Sequence, residues 1–186
     1  MMTKPAIMLD IETMDTEPSA AVLTIGGCYF DADGHDTEET ITDAFSVAMS
    51  LESNMAAGRT VSAGTIMWWL QQTKDAQKGL YEGDITNLRT GLIRLRKWIQ
   101  DHEPMPQRVW AKDPDFDVVI LRNAFAQIGE MFPFKFWETR SVRTITELAY
   151  PDGDPPPIGV GVAHNAKDDA IRQALMVQHC HHVLSQ

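Results

Sequence analysis

The run Ile7-Met8-Leu9-Asp10-Ile11-Glu12-Thr13 sets two carboxylates two residues apart inside an apolar stretch, and this constrains the fold more than any other feature of the chain. Read as a β-strand, its side chains alternate between faces, so Asp10 and Glu12 share a side. At a separation of ~5 Å and an effective dielectric of ~20, such a like-charge pair costs about 3 kcal/mol. A strand has no local reason to carry that cost unless a cation compensates it. If further acids gather on the same face, divalent metal is strongly favoured there.

The remaining chain reads as an alternating mixed pattern. Residues 5 to 12, 20 to 30 and 38 to 48 have strand character, with Asp31-Ala-Asp-Gly34 as a hairpin turn between the last two, which makes an antiparallel three-strand meander. Residues 63 to 80 carry helical signals. An amphipathic helix is expected over 84 to 102, with Leu88, Leu92, Leu95 and Ile99 on one face and Asp84 as its cap. A short buried strand follows at 107 to 111, a helix at 116 to 128, an extended edge at 134 to 142, a helix at 143 to 150 and a final helix at 164 to 184. Pro151 to Gly161 form one long loop. This order predicts an α/β protein of RNase H-like fold, a mixed central sheet of meander plus parallel strands flanked by helices. With 186 residues and neither repeat nor linker, residues 1 to 186 are expected to form a single domain.

Two later segments carry chemistry. Phe116-Asp117-Val-Val-Ile-Leu places an acid at a helix start, and His164-Asn-Ala-Lys-Asp-Asp169 places a histidine five residues before another acid. Each has a plain reading alone. Asp-x-Glu at a strand end arises by chance, Asp117 can serve as a helix cap with Asp115 as its rival, and an acid in a first helical turn complements the helix dipole. Their joint occurrence in this order, each on a suitable element, points to one site. Asp15 and Asp168 read as supporting or solvated acids.

On these residues the chain resembles the DEDD superfamily of 3′–5′ exonucleases, in its DEDDh branch, over about residues 5 to 180. Residues 21 to 31, 67 to 72 and 142 to 145 are further similar to a small bacterial and phage subgroup, that of the mycobacterial-type 3′–5′ exoribonuclease and phage exonuclease A. The resemblance implies that Asp10, Glu12, Asp117 and Asp169 bind two Mg²⁺ or Mn²⁺ ions and that His164 removes the proton of the attacking water. It implies a catalytic role for Glu12 through its metal, release of nucleoside 5′-monophosphates, and contacts from the Thr13 backbone and the Met14 side chain to the terminal sugar. Single-stranded nucleic acid or a 3′ overhang is the implied partner, with RNA somewhat favoured. The other readings are a DNA exonuclease or nucleotide-trimming phosphodiesterase, and a non-catalytic nucleic-acid-binding relative. Homodimerisation is expected from family habit and from the aromatics near Trp68 and Trp69. Asp113-Pro114 departs from the more open turn of the family and puts base preference in question.

The formal net charge of -10 repels phosphates and leaves no broad basic stripe. Two divalent ions would offset four of those charges where phosphate must sit, so a short footprint at a strand end is expected. Arg140 and Arg143 are candidates for phosphate or subunit contacts, against ordinary surface ion pairs. Apolar runs are too short for a membrane span and no signal-peptide core is seen. With Cys28 and Cys180 read as reduced thiols, a cytoplasmic protein is expected, and the subgroup resemblance implies that it is bacterial or phage-encoded.

Other clusters are discounted. His179-Cys180-His181-His182 are adjacent on a helix and point in different directions, which does not make a zinc site. Asp31-Ala-Asp-Gly-His-Asp lacks the later glutamate of a calcium loop. Gly159-Val-Gly lacks the context of a dinucleotide site. Trp68 and Trp69 read as core or interface residues, with base stacking as the alternative.

Overall fold

The computed structural model describes residues 4–36, 41, 43–81 and 83–186; positions 38–40 and 42 of the expected third strand lie outside the described residues. Strand β1 (Pro5–Thr13) is central. It pairs antiparallel with β2 (Val22–Asp31), which pairs antiparallel with β3 (Ala44–Met49), and this is the expected meander. After the short helices α1 (Leu51–Ala56), α2 (Ala63–Trp69) and α3 (Lys74–Gly79), the two-residue strand β4 (Ile85–Thr86) joins β3 in parallel. Helix α4 (Leu88–Gln100) leads to β5 (Arg108–Ala111), parallel to β1. Helix α5 (Asp117–Gln127) and a 3₁₀ turn at Phe136–Glu138 precede β6 (Thr139–Ser141), parallel to β5. Helices α6 (Val142–Ala149) and α7 (Ala166–Leu184) complete a six-stranded mixed sheet of order β4-β3-β2-β1-β5-β6.

The alternation of β1 divides the core. Ile7, Leu9 and Ile11 face α4 and α5, packing with Leu92, Leu95, Ile99, Leu121 and Phe125. Ala6 and Met8 face the other way, against Ile145 of α6 and Ile171, Ala174 and Val177 of α7. Each aliphatic side chain buried this way is worth roughly 1.5–3 kcal/mol. By the same alternation Asp10 and Glu12 follow Met8 on the α7 side, where the apolar packing ends. No helix among the described residues is long and apolar enough to cross a membrane.

Several expected boundaries move. Helix α4 starts at Leu88 rather than 84, capped by the Asn87 side chain, which accepts from the Thr90 N–H at 2.8 Å. The edge of β3 recruits Ile85 and Thr86 first, and Asp84 pairs with Arg94 at 3.5 Å instead of capping. The helical stretch 63 to 80 is two helices, since Thr73 caps α3 through a 3.2 Å bond from the Ala76 N–H. The extended edge expected from 134 shortens to β6, and α1, capped by Ser50, was not anticipated. The final helix begins at Ala166, with Asn165 as its cap, so His164 lies in the preceding loop.

Candidate active site

The first positioning device is a glycine. Gly26 on β2 is paired with Asp10 in register, and a Cβ there would lie 2.0 Å from the carbonyl carbon of Ala166. Without a side chain at 26, the first turn of α7 settles directly over the β1–β2 pair at the level of Asp10. Asp169, in that turn, therefore faces the two strand carboxylates. Asp117 enters from the other direction as the first residue of α5. It is buried and accepts the Ile11 N–H at 3.2 Å, while Asp115 stays exposed, so of the two rivals it is Asp117 that joins the group.

His164 is held by backbone geometry. It takes a left-handed conformation, φ 62°, uncommon for a residue other than glycine. Its N–H donates to Asp169 Oδ2 at 3.1 Å. Two residues upstream the Val162 N–H donates to Asp168 Oδ2 at 2.9 Å, and Gly161, at φ 56°, lies where a Cβ would stand 2.4 Å from that same carboxyl. Asp168 thus fastens the loop. Arg172 adds a clamp: it is ion-paired with Asp169 and donates twice to the Val160 carbonyl, at 2.7 and 3.2 Å. The imidazole meets Trp68 edge to face, ring centres 5.0 Å apart.

The result is a cleft of about 1060 Å³ lined by Asp10, Glu12, Asp117, His164 and Asp169, with Lys112, Arg143 and Arg172 as its cations. One ligand atom each of Glu12, His164 and Asp169 lies within 4.8 Å of the others. Burial, then the charges of Asp117, Glu12 and Asp169, hold the Asp10 carboxyl well above the usual range. Burial, then Asp169 and Asp117, push Glu12 up to about 8. Burial likewise raises Asp117 to about 7, although the Ile11 N–H works against it. Acids this crowded resist ionising together, and a divalent cation among their oxygens relieves the conflict, so the residues present fit a hard metal ion.

The remaining expected contacts are distributed around this centre. Thr13 borders a neighbouring groove of about 420 Å³ that shares Glu12, Trp68 and Phe116 with the main cleft. Its hydroxyl donates to the Asp15 carbonyl at 2.6 Å and its own carbonyl accepts Trp69 Nε1 at 2.9 Å. The half-buried Met14 packs with Leu23, Trp69 and Leu80 beneath that groove. The tryptophan pair divides: Trp69 is buried, whereas Trp68 is 42% exposed and lines both hollows. Arg143 lines the cleft in an ion pair with Asp113, the residue of the unusual turn. Arg140 is turned to the carbonyls of Trp137 and Thr139.

Two residues of the site escaped the sequence reading. Gln173 donates to Asp10 Oδ1 at 2.7 Å and leaves its own buried Oε1 without a partner, and Arg172 clamps the loop. Both stand three or four residues after Asp169, where a helix returns to the same face, and that spacing was the available signal.

The family described as 3′–5′ exoribonuclease Rv2179c-like domain matches residues 5–181. The chain is 25% identical over 199 residues to an exodeoxyribonuclease of Enterobacteria phage T4, covering 92% of this chain and 87% of that protein. The zinc-bound E. coli exonuclease I in complex with single-stranded DNA superposes with a TM-score of 0.65 at 14% identity, over 94% of this chain and 40% of that one. Exonuclease I of Methylocaldum szegediense gives 0.54 at 13%, over 88% and 33%. The chain thus spans well under half the length of exonuclease I, and the likeness is one of fold.

Proposed function

The chain belongs to the Rv2179c-like 3′–5′ exoribonuclease domain family, and from that premise we propose that it is a metal-dependent 3′–5′ exonuclease of the DEDDh type, acting as one domain over residues 1 to 186. The observation that carries the reading is the convergence of Asp10, Glu12, Asp117, His164 and Asp169, from three separate segments of the chain, on one cleft. The four carboxylates would hold two Mg²⁺ or Mn²⁺ ions, which when bound supply Lewis-acid activation of water and neutralise charge on the leaving 3′ oxygen. His164, poised over Glu12 and Asp169, accepts the proton the attacking water loses. The water oxygen joins phosphorus as the bond to the 3′ oxygen breaks, and a nucleoside 5′-monophosphate leaves. Gln173 keeps Asp10 oriented toward the cleft. Thr13 lines the groove for the terminal sugar, Met14 packs with Trp69 of its wall, and Arg143 faces a phosphate on exchanging its bond to Asp113.

RNA is the favoured substrate, because the matching family is one of exoribonucleases. A DNA substrate is the second reading, carried by the phage T4 exodeoxyribonuclease. The buried free thiols Cys28 and Cys180 support a reducing, cytoplasmic setting. The exposed Ile66 and Met67 of α2 and Leu70 at its C-terminal cap support a homodimer, which sedimentation would test. The central test is degradation of matched end-labelled RNA and DNA single strands with Mg²⁺ or Mn²⁺, with and without EDTA. Hydrolysis from a free 3′ hydroxyl is expected, with 3′-phosphorylated and circular strands resistant. Activity that survives EDTA, or efficient cutting of circles, would contradict the reading.

A further inference from the structure

Surface cations on this acidic chain commonly face a carboxylate: Arg89 and Arg96 share Glu130, Arg94 meets Asp84 and Lys97 meets Asp101. A group at the β5–β6 edge of the sheet does not. Among the described residues Arg108, Lys135 and Arg140 have no carboxylate in ion-pair contact. Arg108 donates to its neighbour's carbonyl, Arg140 to the Trp137 and Thr139 carbonyls, and Lys135 Nζ stands 5.1 Å from the centre of the Trp137 ring. Glu138, the one acid in the sequence from 131 to 141, turns back to accept the Lys135 N–H at 2.6 Å. Beside these cations Phe136 and Trp137 are 77% and 55% exposed, their rings edge to face at 4.8 Å.

Exposed aromatic faces interleaved with unneutralised cations suit a strand that offers bases and phosphates in alternation. They do not suit a two-fold contact with a second copy, which would set the three cations against their own images. We propose that this edge is a second binding surface for single-stranded nucleic acid, which holds the strand upstream of the 3′ end. The proposal rests on the exonuclease reading for where that 3′ end lies. Val109 and Thr139 stand level with Ile7 across the sheet. At ~3.3 Å per strand residue, ~2.0 Å per residue of the 3₁₀ turn and ~4.8 Å between strands, Trp137 therefore lies roughly 20–25 Å from Glu12. A stacked strand rising ~3.4 Å per nucleotide covers that span with about six or seven nucleotides, and a trinucleotide does not reach.

Initial rates on 5′-labelled trinucleotide and twelve-nucleotide single strands, for wild type, Trp137→Ala and Arg108→Gln, test the surface. Wild type should show the lower KM for the longer strand. Each variant should raise that KM about fivefold or more while leaving kcat and the trinucleotide KM within about twofold. Arg108→Gln should also flatten the slope of log KM against log salt by about 0.7. Anisotropy of the labelled twelve-nucleotide strand in EDTA makes the same comparison without cleavage. Weaker binding by the variants there supports the surface even where hydrolysis is absent, an absence that would count against the exonuclease reading alone. Variants that match wild type on the longer strand overturn the proposal. So does a wild-type dimer that Trp137→Ala dissociates, which would make the edge an interface between copies.

Discussion

Replacing Glu12 with glutamine should stabilise the metal-free protein, by an amount that grows with pH. Burial, then the charges of Asp169 and Asp117, raise this carboxyl from 4.5 to about 8. Below about pH 4.5 folded and unfolded chains both hold the proton, and the residue costs nothing. As pH rises the unfolded chain ionises while the folded one does not, so stability falls until about pH 8, where the cost levels off. At ~1.4 kcal/mol per pH unit the whole window amounts to about 5 kcal/mol. Glutamine removes that cost but buries an amide whose desolvation takes back about 1–3 kcal/mol, leaving a net gain of about 2–4 kcal/mol at pH 8. For a chain of this size that is roughly 4–16 °C in melting temperature. Thermal unfolding followed by circular dichroism in EDTA, at pH 5 and pH 8, reads it. The wild-type melting temperature should drop between the two conditions and that of Glu12→Gln should drop less. Added Mn²⁺ should raise the wild type at pH 8 and the variant less. A wild type flat across this range, or a variant equally destabilised at both, would show that the carboxylates are not in conflict and that the argument for a cation fails.

Other substitutions and titrations probe the rest of the site. His164→Ala should lower kcat about 100-fold or more while keeping the Mn²⁺-dependent rise in melting temperature, since the four carboxylates remain; normal turnover would assign the proton to another group. Gly26→Ala drives a methyl group into the Ala166 backbone and should cost about 1–3 kcal/mol together with most of the activity, and an unaltered melting curve and rate would refute the close approach of α7. Because Asp10, Glu12 and Asp117 hold protons above their ordinary range, Mn²⁺ binding at pH 6.5 should release protons, and fewer of them above pH 8; calorimetry in buffers of differing ionisation enthalpy would expose any pH-independent stoichiometry.

What the sequence disclosed was whatever follows from period and spacing. The alternation of β1 put Asp10 and Glu12 on one face, and the 3.6-residue period of α4 named Leu88, Leu92, Leu95 and Ile99, all of them buried. What it withheld depends on contacts between distant segments. No local signal at Ile85-Thr86 outweighs its helical neighbourhood, and only the open edge of β3 makes it a strand. The left-handed backbone of His164 is likewise a consequence of the Asp168 and Asp169 carboxylates gathering the loop's N–H groups. The ion pair of Arg143 with Asp113 joins a helix to a loop 30 residues away. The break between α2 and α3 is different in kind, because Thr73 before Lys-Asp-Ala is a readable cap.

The formal charge of -10 overstates how strongly the cleft opposes a phosphate. That figure ionises every carboxylate, whereas Glu12 and Asp117 are pushed up to about 8 and about 7, and Asp10 is raised as well. Near neutral pH the metal-free cleft therefore carries less negative charge than its residue count implies, while Lys112, Arg143 and Arg172 stand on its walls. Asp113 and Asp169 there are ion-paired with Arg143 and Arg172, and much of the remaining negative charge lies on exposed acids whose field is screened within about 8–10 Å at ordinary salt. An approaching 3′ end thus meets a repulsion that has faded over most of the surface and, at the site itself, protons that a divalent cation can replace. The same burial that makes the carboxylates poor anions without metal makes them a demanding site for a cation, and on the proposed function it is this exchange that would let an acidic chain work on a polyanion.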